Sequence, residues 1–183
     1  SCLICDEGMY SLAGNSCENC GLGKFQDIKG KSECKKCPGG YYSGTVGQVL
    51  CGTCLKGQYS PSAGEATSCT SCPAGYALNT EKGTACTLCA AGKVAGIGSE
   101  NCVSCNPGMH APSAGKSTCT ECLKGKYSDE HSAKLCKSCS AGKFSNAAEV
   151  KCTKCPRGYF SGAERFSGIS SEQCDLRKLD ELF

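Results

Sequence analysis

The apolar residues of this chain fall in short stretches between polar and glycine-rich segments, and no stretch approaches the roughly 20 residues that a membrane-spanning helix needs. The typical unit is one aromatic residue with polar neighbours, as in Lys126-Tyr127-Ser128. Such segments are long enough for a short β-strand and too short for a helix, so we predict small hairpins or ribbons. Helical spacing appears only in 175–183, where a short helix would line up Leu176, Leu179, Leu182 and Phe183.

A pair of cysteines separated by two residues recurs ten times along the chain, at intervals of 15 to 18 residues. The pairs are Cys2/Cys5, Cys17/Cys20, Cys34/Cys37, Cys51/Cys54, Cys69/Cys72, Cys86/Cys89, Cys102/Cys105, Cys119/Cys122, Cys136/Cys139 and Cys152/Cys155. A single cysteine, Cys174, follows the last pair. A fixed period of this kind indicates a tandem array of small supersecondary units. We therefore assign 2–174 to one array of ten repeats of about 17 residues, and 175–183 to a tail.

A glycine follows every cysteine pair at a fixed distance, three residues after the second cysteine. Because glycine tolerates positive φ and close backbone approach, this position predicts the same tight turn in each repeat. Two residues further on, most repeats have an aromatic residue: Tyr10, Phe25, Tyr42, Tyr59, Tyr127, Phe144 and Phe160. Repeats 5 to 7 depart from this pattern and carry Ala77, Val94 and His110 instead. The repeat is thus C-x2-C-x2-G-x-[Y/F]-S.

The composition favours a scaffold held by disulfides over one held by a large core. The chain has 21 cysteines and no tryptophan among 183 residues, and 7% of its residues are aromatic. Burial of one aromatic side chain is worth about 1.5 to 3 kcal/mol, and a disulfide that closes a loop of about 15 residues adds roughly 3 kcal/mol in the entropy model. We predict a small disulfide-rich fold, an elongated array of short β-hairpin or ribbon repeats without a large core.

The cysteines can be paired in three ways. Bonds within each C-x2-C pair would form strained rings of the kind used in redox enzymes, and crossed bonds between neighbouring pairs would leave Cys174 without a partner. The third scheme joins the second cysteine of each pair to the first of the next and encloses the aromatic residue in each loop. It predicts Cys5–Cys17, Cys20–Cys34, Cys37–Cys51, Cys54–Cys69, Cys72–Cys86, Cys89–Cys102, Cys105–Cys119, Cys122–Cys136, Cys139–Cys152 and Cys155–Cys174. Only Cys2 is left unpaired within the chain, as expected for the end of a longer run of repeats.

Metal binding and catalysis are weaker interpretations of the same residues. Neighbouring C-x2-C pairs could supply four thiolates to zinc, but the 11 to 14 residues between them are fewer than zinc ribbons use. A cysteine nucleophile would need a nearby base, and the two histidines, His110 and His131, lie in no motif that indicates one. We expect no enzyme activity, no catalytic or cofactor-binding residues, no metal and no cofactor.

Two motifs carry a family resemblance. The segments 34–43 (CKKCPGGYYS) and 69–76 (CTSCPAGY) resemble ephrin-receptor-like cysteine-rich repeats, and they are similar to the first half of tumour-necrosis-factor-receptor modules. The resemblance implies an elongated extracellular or cell-surface segment. It implies neither kinase activity nor a particular ligand, since the second, crossed unit of the receptor modules is missing.

The sequence thus predicts a non-catalytic structural or scaffolding segment of a cell-surface, matrix or filament protein. Partners would be proteins, including copies of the chain itself, and not nucleic acid, because the net charge is only +3. We expect few exposed hydrophobic side chains.

The alternative is a receptor ectodomain with a ligand patch at Ala77, Val94 and His110. Lysines after the repeat glycine, such as Lys24 and Lys143, would form either a basic edge for acidic glycans or an ordinary solvated face.

Overall fold

The structure is a computed structural model that describes residues 4–12, 16–61, 64–157, 159 and 174. The predicted helix in 175–183, the unpaired Cys2 and the aromatic position Phe160 lie outside the described residues. The chain divides into two compact units, Ser1–Thr87 with Gly96–Asn101 and Leu88–Ala95 with Cys102–Phe183.

All regular structure in the described part of the chain consists of strands of two residues. The first ten are β1 (Met9–Tyr10), β2 (Glu18–Asn19), β3 (Lys24–Phe25), β4 (Lys35–Lys36), β5 (Tyr41–Tyr42), β6 (Gly52–Thr53), β7 (Gln58–Tyr59), β8 (Thr70–Ser71), β9 (Tyr76–Ala77) and β10 (Thr87–Leu88). The others are β11 (Lys93–Val94), β12 (Val103–Ser104), β13 (Met109–His110), β14 (Thr120–Glu121), β15 (Lys126–Tyr127), β16 (Lys137–Ser138), β17 (Lys143–Phe144) and β18 (Thr153–Lys154). Each odd-numbered strand pairs with the next even-numbered one in a separate two-stranded sheet.

Each hairpin begins in one sequence repeat and ends in the next. In the third repeat, β5 supplies the residues directly after the repeat glycine, and β6 is the two residues between the cysteines of the following pair, so that Tyr42 lies opposite Gly52 and Tyr41 opposite Thr53. The predicted array of small disulfide-rich hairpins is confirmed. The sequence did not indicate that the two residues inside each C-x2-C pair form the second strand.

The turn before each first strand explains the repeat glycine. Gly40 has φ of +81°, and the Tyr41 amide donates a hydrogen bond of 3.1 Å to the Pro38 carbonyl, so the segment 38–41 is a type II turn. The described repeat glycines all share this left-handed conformation, with φ between 74° at Gly23 and 86° at Gly92. The tight turn predicted from glycine spacing is therefore confirmed in the described repeats.

Within each of the two units, backbone hydrogen bonds join neighbouring repeats at equivalent positions. The amide of Gly23 donates to the Ser43 carbonyl at 2.9 Å, and the Gly23 carbonyl accepts from the amide of Cys37 at 2.9 Å. The loop of the third repeat returns to the second, where the Gly47 amide donates to the Cys20 carbonyl at 2.8 Å. The same three bonds recur within each unit, so the repeats share main-chain bonding as well as sequence.

The repeat glycine also contacts the chain two repeats further on. A Cβ built on Gly23, in the second repeat, would lie 2.6 Å from the Cα of Glu65, in the loop of the fourth. Such a distance leaves no room for a side chain against backbone. Close packing therefore adds a second reason for glycine at this position, beyond its turn conformation.

The buried side chains are few and recur at equivalent positions along the array. The second cysteine is buried in the first eight pairs, with Cys20, Cys54 and Cys122 fully inaccessible, and it is half-buried in the last two, at Cys139 and Cys155. The residue three positions after the repeat glycine is also buried in most repeats, as at Ser60 and Ser145. The aromatic side chains, such as Tyr42, are half-buried rather than enclosed. The sulfur atoms and these small side chains, instead of the aromatics, form the interior.

Many large apolar side chains lie at the surface, which corrects the expectation of few exposed hydrophobics. Leu50 is 65% exposed, Leu135 is 72% exposed and Ile97 is 77% exposed. Units this small have little interior in which to bury them, so apolar residues outside the buried positions remain in contact with solvent.

Candidate functional site

The cysteines form a ladder of disulfides along the chain. The structure brings together the two cysteines of each predicted pair, with Cα atoms 5.5 Å apart in Cys5–Cys17 and 5.8 Å apart in Cys37–Cys51. The remaining eight bonds follow the same scheme, from Cys20–Cys34 to Cys155–Cys174. Zinc coordination requires thiolates, and a disulfide sulfur is not a thiolate, so the two uses of these cysteines exclude each other.

One disulfide has a histidine beside it. His110 Nδ1 lies 3.2 Å from Cys136 Sγ and 3.0 Å from the Thr120 carbonyl oxygen. A ring nitrogen of His110 and the sulfur atoms of Cys122 and Cys136, which are bonded to each other, all lie within 4.8 Å of one another. With both sulfurs in a disulfide, the group offers one imidazole and no thiolate. His110 therefore faces a bond rather than a nucleophile, and the other histidine, His131, is exposed.

Two repeats carry the same ion pair at the same position. The residue after the first cysteine of a pair is lysine, and it contacts an aspartate across the hairpin, at 2.5 Å for Lys35 and Asp27 and at 2.7 Å for Lys137 and Asp129. Lys137 also contacts Glu130. The lysine hydrogen bond lowers the pKa of each aspartate, and the two acidic partners raise the pKa of Lys137.

A second charge cluster joins the fourth repeat to the second and third. The carboxylate of Glu65 lies 3.3 Å from Lys36 Nζ and 3.4 Å from Lys24 Nζ, and these lysines lower its pKa. Lys24 is one of the lysines of the possible basic edge. Its charge is shared with an acidic residue, which favours the solvated-face interpretation at this position.

A polar groove lies in the second unit. It has a volume of about 360 Å³ and is lined by Tyr127, Asp129, Ser138, Lys143 and Lys151. Its walls are the β15–β16 hairpin and the start of the next repeat. Its lining carries both signs of charge, from Asp129 and from Lys143 and Lys151.

The residues of the alternative ligand patch differ in accessibility. Ala77 is only 6% exposed and therefore cannot contribute contact area to a ligand. Val94 and His110 are half-buried in the second unit. The three departures from the aromatic pattern thus do not share one kind of environment.

No described residue belongs to a helix that is long and apolar enough to cross a membrane.

Comparison with known proteins gives one positive finding. No significant match to a curated protein was found. The family model that matches is described as tyrosine-protein kinase ephrin type A/B receptor-like, and it covers residues 8–46. The resemblance seen in the sequence is thereby confirmed for this segment. The ten disulfides repeat one pattern that fits tandem cysteine-rich repeats of the ephrin-receptor-like type.

Proposed function

We propose that this chain is a non-catalytic, extracellular structural segment that associates with copies of itself in a cell-surface, matrix or filament assembly. The main support is the regular bonding between neighbouring repeats within each unit, in which equivalent main-chain groups bond repeatedly, as from Gly23 to Ser43. Arrays of this kind present the same surface position many times, which suits repeated weak contacts with identical neighbours.

The extracellular location is supported by the disulfides and by the family match at residues 8–46. Disulfides at this density persist in oxidising compartments and are reduced in the cytosol. The ephrin-receptor-like repeats occur in extracellular parts of proteins, which is consistent with the same location.

The exposed leucines identify surface for such an assembly. Leu55 and Leu123 occupy the same position in the fourth and eighth repeats, directly after the buried cysteine, and they are 59% and 64% exposed. Each is followed by a lysine, Lys56 or Lys124, in the same turn. Apolar side chains repeated at equivalent, solvent-facing positions favour lateral contacts.

Sedimentation velocity and electron microscopy of the disulfide-bonded chain, over a wide range of concentration, test this function. We expect concentration-dependent association into filaments or sheets. The double substitution of Leu55→Ser with Leu123→Ser should weaken association, while Lys56→Ser with Lys124→Ser, one residue away in the same turns, should leave it nearly unchanged. Particles that stay monomeric at all concentrations would overturn the proposal.

The second candidate is a receptor ectodomain, and the observation that favours it is the polar groove lined by Tyr127, Asp129 and Lys143. A monomeric chain that bound a soluble partner, and lost this binding on Tyr127→Ala, would support it. Binding that persists in this variant would contradict a role for the groove.

A further inference from the structure

We propose that Cys122–Cys136 is a thiol-exchange site, a disulfide that dithiols reduce in preference to others in the array, and that His110 is the positioning residue that makes it so. This inference does not depend on the proposed assembly. It rests on the placement of one imidazole against one sulfur atom, at a position where most repeats carry an aromatic ring.

The Thr120 carbonyl determines which nitrogen of His110 carries the proton. A carbonyl oxygen only accepts hydrogen bonds, so the 3.0 Å contact from Nδ1 requires a proton on Nδ1. Cys136 Sγ lies 3.2 Å from the same Nδ1, so the carbonyl oxygen and the sulfur share this one N–H as acceptors. A disulfide sulfur is a weak acceptor, whereas a thiolate is a strong one, so this contact stabilises the reduced state more than the oxidised state.

A thiolate from solution can reach the sulfur of Cys136 more easily than the sulfur of Cys122. Cys122 is fully buried, and Cys136 is half-buried at the end of the loop. A dithiol thiolate would attack Sγ of Cys136, and the electron pair of the broken S–S bond would pass to Sγ of Cys122, which takes up a proton. A mixed disulfide between the dithiol and Cys136 results.

The second step completes a two-electron exchange. The second thiol of the dithiol, as its thiolate, attacks the dithiol sulfur that is bonded to Cys136. The bond to Cys136 breaks, and Cys136 leaves as a thiolate. The dithiol is oxidised to a cyclic disulfide, and the cysteine pair is reduced. His110 Nδ1–H donates to the thiolate as its charge develops, which stabilises the leaving group and then the product.

The second repeat supplies a matched reference in the same molecule. Cys20–Cys34 has the same placement, with a fully buried Cys20 and a half-buried Cys34. It is followed by the Lys35–Asp27 ion pair, the counterpart of Lys137–Asp129. The residue equivalent to His110 in this part of the array is Tyr10, whose hydroxyl donates to Glu18 at 3.0 Å. The two disulfides therefore match in burial and in the neighbouring lysine–aspartate pair, and the imidazole is present at only one of them.

Equilibration of the intact chain with a graded dithiol buffer, followed by differential alkylation and mass spectrometry, measures each bond separately. We expect Cys122–Cys136 to be half-reduced at a ratio of reduced to oxidised dithiol about tenfold lower than the ratio that half-reduces Cys20–Cys34. This difference corresponds to about 30 mV for a two-electron couple. His110→Tyr restores the residue type common at this position and should bring the two disulfides to the same ratio, with Cys20–Cys34 unchanged. Equal reduction in the unmodified chain, or a difference that persists in the His110→Tyr variant, would overturn the proposal.

Discussion

The carbonyl group of Ala148, in the ninth repeat, lies so close to Gly108, in the seventh, that a Cβ built on this glycine would be 2.9 Å from the carbonyl carbon. Both residues have a left-handed backbone, with φ of +84° at Gly108 and +60° at Ala148. The Ala148 amide bonds to the Cys122 carbonyl of the intervening repeat at 2.9 Å. Three successive repeats therefore meet at this point, and its two small residues can be changed independently.

Gly108→Ala should destabilise the second unit by more than about 2 kcal/mol. The left-handed conformation costs an L-residue about 1 to 2 kcal/mol, and the added methyl group would also overlap the backbone at residue 148. Gly142→Ala is the matched control, since Gly142 has φ of +77° but no described atom within 4 Å of its Cβ position. Gly142→Ala should lose only the stability that the left-handed conformation costs, about 1 to 2 kcal/mol. Denaturant unfolding with intact disulfides measures both, and equal losses would contradict the role of close packing.

Ala148→Gly should instead stabilise the chain, by up to about 1 kcal/mol. Glycine relieves the strain of a positive φ, although its greater freedom in the unfolded chain offsets part of the gain. The control is Ala147→Gly, at an exposed neighbour in the same turn that is not among the residues with positive φ. It should destabilise the chain by several tenths of a kcal/mol, because glycine raises the conformational entropy of the unfolded chain and relieves no strain in the folded one. Changes of the same sign in the two variants would refute this explanation.

The sequence predicted the repeat, the turn and the hairpin, because each of them follows from the spacing of cysteine and glycine residues within one short segment. It could not predict the second strand, since two residues such as Gly52 and Thr53 are too few to show an alternating pattern, and glycine is depleted in strands. Burial of Ser60 was missed for a different reason. That position is covered by the neighbouring repeats, so its environment depends on packing between repeats rather than on its own segment. The His110 contact with Cys136 depends on packing in the same way.

Ser60→Ala should cost about 0.5 to 1.5 kcal/mol, the usual worth of a buried hydrogen bond. Ser60 is fully buried, and its hydroxyl donates to the Tyr41 carbonyl of the preceding repeat at 2.9 Å. Ser43→Ala is the control at the equivalent position, where the hydroxyl donates to the Thr45 carbonyl of its own repeat, at 3.1 Å. Hydrogen exchange at the third hairpin should accelerate in the Ser60 variant and change less in the Ser43 variant. The reverse order would contradict a bond that joins two repeats.

Acid should weaken the first unit through Glu65. Its pKa is lowered in the folded state by Lys36 and Lys24, so its contribution is present above the unfolded value of about 4.3 and is lost as pH falls through the folded pKa. Thermal unfolding from neutral pH to pH ~2 should show a decline that begins near pH ~4 and is smaller in Glu65→Gln. Glu81→Gln, at an exposed carboxylate with no ion pair among the described residues, should behave as the unmodified chain. If Glu65→Gln shows the full decline, the cluster does not couple stability to pH.

Peptide mapping of the unreduced chain should recover each bond between neighbouring pairs, such as Cys37 with Cys51. Their Cα atoms are 5.8 Å apart, within the range that a disulfide spans. Bonds inside a pair are disfavoured because the intervening residues, as in β4 between Cys34 and Cys37, are extended and hold the Cα atoms roughly 10 Å apart. Replacing Cys37 and Cys51 together by alanine should destabilise the first unit by about 3 kcal/mol. A peptide that joined Cys34 to Cys37, or Cys17 to Cys34, would contradict this ladder of disulfides.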